Sequence, residues 1–131
     1  MHIEHLAIWV DNIELIRDFY IKYFGTTCSA KYFNPKRNYT SFFLAFEGGN
    51  TRIELMHIPD GQYEPAATRQ LMKGLAHIAL TVGSKETVNA LTEQLRQDGY
   101  TIASEPRTTG DGYYESGILD PEGNYIELLA E

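Results

Sequence analysis

Two histidines and two glutamates recur in matching local sequences. His5 opens the string HLAIWV, and His77 opens HIALTV 72 positions later. Glu54 lies in RIEL and Glu127 in YIEL, 73 positions apart. Imidazole nitrogens and carboxylate oxygens together suit Zn²⁺, Ni²⁺, Co²⁺, Mn²⁺ or Fe²⁺. The four residues therefore predict a divalent-metal site.

The nearly equal offsets of the two matches indicate a tandem duplication. We expect module 1 over about residues 1–58, a polar linker over 59–74 and module 2 over 75–131. Because neither half is large enough to bury a good core alone, we expect a single domain over 1–131.

Each module has the same predicted order of elements. A strand at about 2–10, and again at about 75–83, precedes a helix. The first helix is expected to start at Asp11 or Asn12 and to stop at Gly25; the second is expected to run from Ser84 to Gly99. Strand-like stretches follow: TTCSAKYF, YTSFFLAF and TRIELMHI, then YTIASE, YYESGILD and NYIELLA. The prediction is βαβββ twice, an α+β fold, with Leu15, Ile16, Phe19, Tyr20 and Tyr23 along one face of the first helix.

Strand alternation predicts which way the four candidate ligands point. His5 and His77 lie on the face that the apolar residues of their strands do not use, and each is followed two positions later by an alanine. Glu54 and Glu127 interrupt otherwise apolar strands. A carboxylate in that position is costly to bury unless it is paired or bound to a metal, which favours ligation of the whole set.

Composition excludes several classes of function. The net charge of −7 over 131 residues argues against a nucleic-acid surface. The apolar runs are too short to cross a bilayer, and the N-terminal sequence lacks the features of a signal peptide. A single cysteine, Cys28, suits a reducing cytoplasm, and we expect it to be structural.

Three strings carry a resemblance to a known family: RDFYIKYFG after the first strand, LAHIALTV in the middle and LDPEGNYIEL near the end. In this order they resemble the vicinal-oxygen-chelate superfamily, which includes glyoxalase I. The resemblance implies tandem βαβββ modules forming a curved mixed sheet around a metal cavity, and a homodimer with sites at the interface. It places the metal ligands at His5, Glu54, His77 and Glu127, with one divalent ion per site and Zn²⁺ or Ni²⁺ preferred.

The resemblance also implies a reaction. A glyoxalase I-like lyase or isomerase would act on a small α-oxo compound or its thiol hemithioacetal, with the metal polarising the carbonyl. A glutamate would move the proton between neighbouring carbons, a role we assign to Glu127 with Glu54 as its symmetric partner. Four protein ligands leave two open positions on an octahedral ion, which fits chelation of two adjacent oxygens.

The substrate is less well defined by the sequence. Trp9 stands where the usual glyoxalase I has an arginine, which argues against glutathione. Arg52, Met56 and Tyr125 join Trp9 as expected substrate contacts, and His2 and His57 are expected to be bystanders.

Three alternative functions stay open at this point. One is a metal-dependent epimerase of the same superfamily, and another is a dioxygenase if Glu54 is not a ligand. A third, from a different class, is a metal-free binding protein of the bleomycin-resistance type; the retained ligand set argues against it.

Overall fold

Two compact units, Met1–Tyr63 and Glu64–Glu131, make up the chain in the computed structural model. The structure describes residues 1–61 and 73–131. Most of the expected linker 59–74 lies outside the described residues. The expected single domain and its module boundaries stay predictions.

The first unit builds one mixed sheet and one helix. Its elements are β1 (His5–Trp9), α1 (Ile13–Phe24), β2 (Thr27–Cys28), β3 (Tyr32–Asn34), β4 (Tyr39–Ala45) and β5 (Arg52–His57). The strands are ordered β1-β5-β4-β2, with β3 also on β4; β1 and β5 are parallel and the other pairs antiparallel. The Asn12 side chain accepts a hydrogen bond from the Leu15 amide, and Gly25 ends the helix in the left-handed region, as expected from the sequence.

One expected strand of the first module is two short strands instead. TTCSAKYF was expected to be continuous, but β2 pairs Cys28 with Leu44 whereas β3 pairs Tyr32 with Ser41. The register slips by one residue between the two pairings, so the chain bulges in between. Ser29 holds the bulge, because its amide donates to the Phe43 carbonyl while its hydroxyl accepts from the Phe43 amide.

The second unit has the expected βαβββ order. Its elements are β6 (Ile78–Gly83), α2 (Lys85–Gln97), β7 (Ile102–Thr108), β8 (Tyr114–Leu119) and β9 (Tyr125–Ala130). The sheet order is β6-β9-β8-β7, with β6 and β9 parallel and the other pairs antiparallel. Ser84 caps α2 by accepting from the Thr87 amide.

In each unit the helix covers one face of the sheet, and the core lies between them. The core side chains are Ile13, Ile16, Tyr20, Leu44, Ile53 and Leu55 in the first unit, and Val88, Leu95, Ile118, Ile126 and Leu128 in the second. Leu15, expected on the packed face of α1, is exposed because it is two residues after Ile13 and so lies on the side of the helix away from the buried residues Ile13 and Ile16. The α+β class and the mixed sheets are confirmed.

We call the sheet face away from the helix the open face of each unit. In the first unit it carries His5, Ala7, Trp9, Tyr32, Tyr39, Ser41, Phe43, Arg52, Glu54 and Met56. In the second it carries Ala79, Thr81, Glu115, Gly117, Tyr125 and Glu127.

Candidate metal centre

His5 and Glu54 lie together on the open face of the first unit. β1 and β5 are parallel neighbours that pair Ala7 with Glu54, and His5 is two residues before Ala7. The His5 Nε2 atom is 3.7 Å from a Glu54 carboxylate oxygen. Ile53 and Leu55 are buried on the opposite face, while only 13% of the Glu54 side chain is exposed. The predicted alternation therefore holds, and it shelters a carboxylate beside an imidazole.

Glu4 orients the His5 ring. Its carboxylate accepts from His5 Nδ1 and also from the Arg52 guanidinium. The pKa of Glu4 is lowered, first by the hydrogen bond with His5. With Nδ1 engaged by a carboxylate, Nε2 is the nitrogen left to bind a metal. Glu4 was not predicted as a site residue; its position directly before His5 was the available signal.

Phe43 and Arg52 pack beside the first pair. Phe43 is directly opposite Glu54 on the neighbouring strand, and its ring meets the His5 ring edge-on with centroids 5.4 Å apart. The Arg52 guanidinium carbon lies 4.2 Å from the centre of the Phe43 ring. The aromatic ring therefore fills the space on one side of Glu54 and His5.

His77 and Glu127 form the corresponding pair of the second unit. The His77 Nε2 atom is 3.1 Å from a Glu127 carboxylate oxygen, and 18% of the Glu127 side chain is exposed. His77 was expected within a strand, but β6 begins at Ile78 because pairing with β9 begins there. The residue before His77 is Ala76, so this histidine has no adjacent carboxylate like Glu4.

Gly117 takes the place beside Glu127 that Phe43 takes beside Glu54. β8 and β9 pair Gly117 with Glu127, and the Tyr125 phenol lies directly over the glycine. A Cβ atom at Gly117 would be 2.6 Å from Tyr125 Cζ and still nearer to the hydroxyl. Glycine is required here for the close approach of the ring; the signal in the sequence was an isolated glycine inside a strand pattern.

The surroundings of Glu127 disfavour its charged form. Burial raises the pKa of Glu127; His77 opposes this, and the Glu115 carboxylate adds to it. The pKa of the Tyr125 phenol is also raised, first by burial and then by the charge of Glu127. Glu115 is itself largely buried, with Arg107 Nη1 at 3.4 Å. Neither Arg107 nor Glu115 was predicted from the sequence as a neighbour of the site.

The structure thus brings the four expected ligands together as two pairs, one in each unit. Within neither unit does a third His, Cys, Asp or Glu of the described residues join the pair to form a metal-binding group. His57, expected to be a bystander, makes a hydrogen bond from Nδ1 to the Val10 carbonyl oxygen at 3.0 Å. The Cys28 thiol is free, and burial raises its pKa, which disfavours the reactive thiolate.

The expected substrate contacts all lie on an open face. Arg52 and Met56 are on either side of Glu54 in β5, and Met56 pairs with Trp9 on β1. Tyr125 is two residues before Glu127 in β9, with its ring 6.1 Å from that of His77.

The family model described as Glyoxalase/Bleomycin resistance protein/Dioxygenase superfamily matches residues 2–128. The chain therefore belongs to this superfamily, as the resemblance of its motifs implied.

Solved structures of family members share the fold. A glyoxalase family protein from Enterococcus faecalis is 24% identical with a TM-score of 0.78, and the match covers 98% of this chain and 96% of that one. The trypanothione-dependent glyoxalase I of Leishmania major is 26% identical with a TM-score of 0.78, covering 100% and 87%. Glyoxalase I from Zea mays is 25% identical with a TM-score of 0.77, covering 97% of this chain and 43% of that chain.

No curated protein is matched by the sequence. Among the described residues, neither helix has the length and apolar character needed to span a membrane.

Proposed function

We propose that this protein is a metal-dependent, glyoxalase I-like lyase acting on a small α-oxo compound or its thiol hemithioacetal. The observation that carries the proposal is the repeated pair: in both units a histidine Nε2 faces a sheltered glutamate oxygen, at 3.7 Å in one and 3.1 Å in the other. A single such pair is common in proteins. The same pair at equivalent places in a duplicated chain indicates a shared role.

The two pairs fit a divalent ion by their chemistry. Two imidazoles and two carboxylates form a donor set suited to Zn²⁺ or Ni²⁺, and also to Co²⁺, Mn²⁺ or Fe²⁺. Neither Glu54 nor Glu127 forms an ion pair with Lys or Arg in the described ranges; the ion-pair partner of each carboxylate is its histidine. When bound, the ion would supply Lewis acidity toward a substrate carbonyl. We propose one ion per site, held by His5, Glu54, His77 and Glu127.

Glu127 is proposed as the residue that moves the proton between adjacent carbons of the substrate, with Glu54 as the permanent ligand. A carboxylate that both binds and transfers a proton must change position. The Tyr125 phenol over Gly117 occupies the space beside Glu127 and can swing outward, whereas the Phe43 ring beside Glu54 is packed between His5 and Arg52. The geometry therefore favours motion at Glu127.

Trp9, Arg52, Met56 and Tyr125 are proposed to contact the substrate from the same open faces. We further propose a homodimer in which both pairs act on one ion, with the two pairs supplied either by one chain or by two copies.

The first experiment measures metal content after loading with Ni²⁺ or Zn²⁺ and exhaustive dialysis. It compares the unmodified chain with His5→Ala, His77→Ala and Glu54→Gln. His2→Ala is the matched control, since this exposed histidine belongs to neither pair. We expect one tightly held ion per chain, lost in both paired-histidine variants and kept in His2→Ala.

A metal-loaded chain would then be tested for isomerisation of methylglyoxal hemithioacetals made with several thiols. Failure to retain stoichiometric metal would refute the lyase proposal and favour a protein that binds an organic ligand. Loss of metal in the paired-histidine variants but not in Glu54→Gln, with no activity of the unmodified chain toward any hemithioacetal, would instead favour the three-ligand dioxygenase class.

A further inference from the structure

We propose that the open face of the first unit holds a second subsite, formed by Trp9, Tyr32 and Tyr39, that binds a planar aromatic group of the substrate. We call these three residues the aromatic cluster. This inference rests on the proposed function, because it names a chemical feature of the substrate of that site.

The strand register places the aromatic cluster and the metal-binding pair on one continuous face. Trp9 lies four residues after His5 on β1, on the same face of the strand, and pairs with Met56. Met56 pairs on its other side with Ser41, and Ser41 pairs with Tyr32 on β3. A ligand lying along this face would meet His5 and Glu54 at one end and the aromatic cluster at the other.

The three rings form a surface that a ligand could contact, because much of their area is exposed to solvent. The Trp9 and Tyr39 rings are nearly perpendicular, with centroids 6.3 Å apart, and Tyr32 meets Tyr39 at 6.2 Å. Trp9 is 57% exposed and Tyr32 is 51% exposed. Aromatic rings favour edge-to-face and offset contacts with other rings at such separations, so an added ring gains contacts with both.

A polar atom lies among these apolar side chains. Ser41 is only 1% exposed, and its hydroxyl has no hydrogen-bond partner among the described residues. The side chain belongs to the open face, between Met56 and Tyr32. Buried hydroxyl groups are nearly always hydrogen-bonded in folded proteins, so a ligand atom that reached the Ser41 hydroxyl would supply the hydrogen bond that it lacks.

The charges nearby favour a neutral ring over a charged group. In the residues that the structure describes, no ion pair or cation–π contact includes a member of the aromatic cluster. The arginine of this face, Arg52, is at the opposite end with Glu4 and Phe43. The aromatic cluster therefore offers dispersion and ring contacts without a counterion.

The spacing sets the shape of the ligand. His5 and Trp9 are four residues apart on one strand, a separation of roughly 13 Å at about 3.3 Å per residue. The substrate is therefore expected to carry its ring on a flexible arm several bonds long, away from the adjacent oxygens that would meet the metal.

The test uses hydroxamates, which present two neighbouring oxygens to a metal. Acetohydroxamate is compared with phenylalkanohydroxamates of increasing chain length and with alkanohydroxamates of matched size, by calorimetry on the Zn²⁺-loaded protein. Trp9 is the only tryptophan in the chain, so its fluorescence reports directly on the aromatic cluster. We expect one chain length to bind about tenfold tighter than its alkyl counterpart and to change the Trp9 emission.

Tyr32→Ala and Phe33→Ala form a matched pair of variants. The two residues are adjacent on β3 and similarly exposed, but Phe33 points to the opposite face. Tyr32→Ala is expected to abolish the preference for the phenylalkanohydroxamate over the alkanohydroxamate of matched size. Phe33→Ala should leave that preference unchanged. An equal loss in both variants, or no preference for phenyl at any chain length, would overturn the subsite.

The outcomes separate the subsite from the metal site. Acetohydroxamate binding without any phenyl preference would remove the subsite and leave the proposed function intact. No metal and no hydroxamate binding, together with quenching of Trp9 by free phenol or naphthol, would remove the proposed function and leave the aromatic subsite. A Trp9 emission that changes with protein concentration and responds to no phenylalkanohydroxamate would mean that a second copy covers the face, which overturns the proposal.

Discussion

The two histidine–glutamate pairs differ in how firmly their neighbours hold them. In the first unit Glu4 engages the far nitrogen of His5, and Phe43 packs against the pair under the Arg52 guanidinium. In the second unit an alanine precedes His77, and Gly117 leaves room that the Tyr125 phenol occupies. The two units therefore share the candidate ligands but differ in the residues that support them.

This difference suggests a division of labour between the units. A histidine–glutamate pair that neighbouring side chains hold in place suits permanent metal ligation. Preorganised ligands lose little conformational freedom when the ion binds. A pair whose neighbouring ring can swing aside, as Tyr125 can beside Glu127, suits a carboxylate that must move.

The largest expected effect is on turnover. Glu127→Gln should lower kcat for hemithioacetal isomerisation by on the order of 10³-fold, since the amide cannot accept the proton. Glu54→Gln should lower it by about tenfold, because an amide oxygen can still ligate a metal. Steady-state kinetics at saturating metal, with metal content measured for each variant, gives the comparison. Equal losses, or a larger loss at Glu54, would mean that the division is wrong.

Removal of the Glu4 side chain should weaken metal binding although all four proposed metal ligands are kept. Glu4→Ala is expected to raise the Kd for Zn²⁺ by about 10- to 100-fold, the usual cost of losing the partner that orients a ligating histidine. Glu4→Gln should recover part of the loss, because its carbonyl can still accept from His5 Nδ1. Competition with a chelating dye measures the Kd, and Arg52→Met controls for loss of the second partner of Glu4. An unchanged Kd in Glu4→Ala would show that His5 needs no support.

Gly117→Ala should destabilise the second unit by about 1 kcal/mol, near the low end for overpacking because Tyr125 can swing outward. Urea unfolding measures the change, with Gly110→Ala as control since a Cβ there meets nothing within 4 Å. In a Tyr125→Ala background the cost of Gly117→Ala should largely vanish. A cost that persists in that background would show that Tyr125 is not the reason for the glycine.

The smallest expected effects are at the two arginines. Arg52→Ala should cost about 0.5–1 kcal/mol of stability, from its contact with the Phe43 ring and its ion pair with Glu4. Arg107→Ala should cost less than about 0.5 kcal/mol, since Arg107 is half exposed and its link to Glu115 is long at 3.4 Å. The same urea measurements rank the two; a reversed order would contradict the tighter packing of the first pair.

Local sequence signals were sufficient for much of the fold. Helix ends at Asn12, Gly25 and Ser84 depend on residues within one turn, and the structure has them where expected. The alternation of side chains along a strand correctly placed Glu54 and Glu127 on the face opposite to their buried apolar neighbours. This alternation follows from the sequence of the strand alone and needs no tertiary information.

The missed features depend on pairing between distant strands. The bulge at Ser29 follows from the register of β2 and β3 against β4. Phe43 and Gly117 acquire their roles only because each is directly opposite a glutamate on the next strand. A single sequence gives the parity of each strand but not its register against a neighbour, so these residues could not be assigned in advance.

The parallel pairing of the first and last strands of each unit has a consequence for folding kinetics. His5 meets Glu54, and His77 meets Glu127, only after nearly a whole unit has closed into a loop, since β1 pairs with β5 and β6 with β9. Closing such long loops carries an entropic cost before any contact is gained, and contacts so far apart in sequence slow folding. Each pair should therefore assemble late in refolding, so a metal added to the unfolded chain would stabilise the finished unit without speeding its formation.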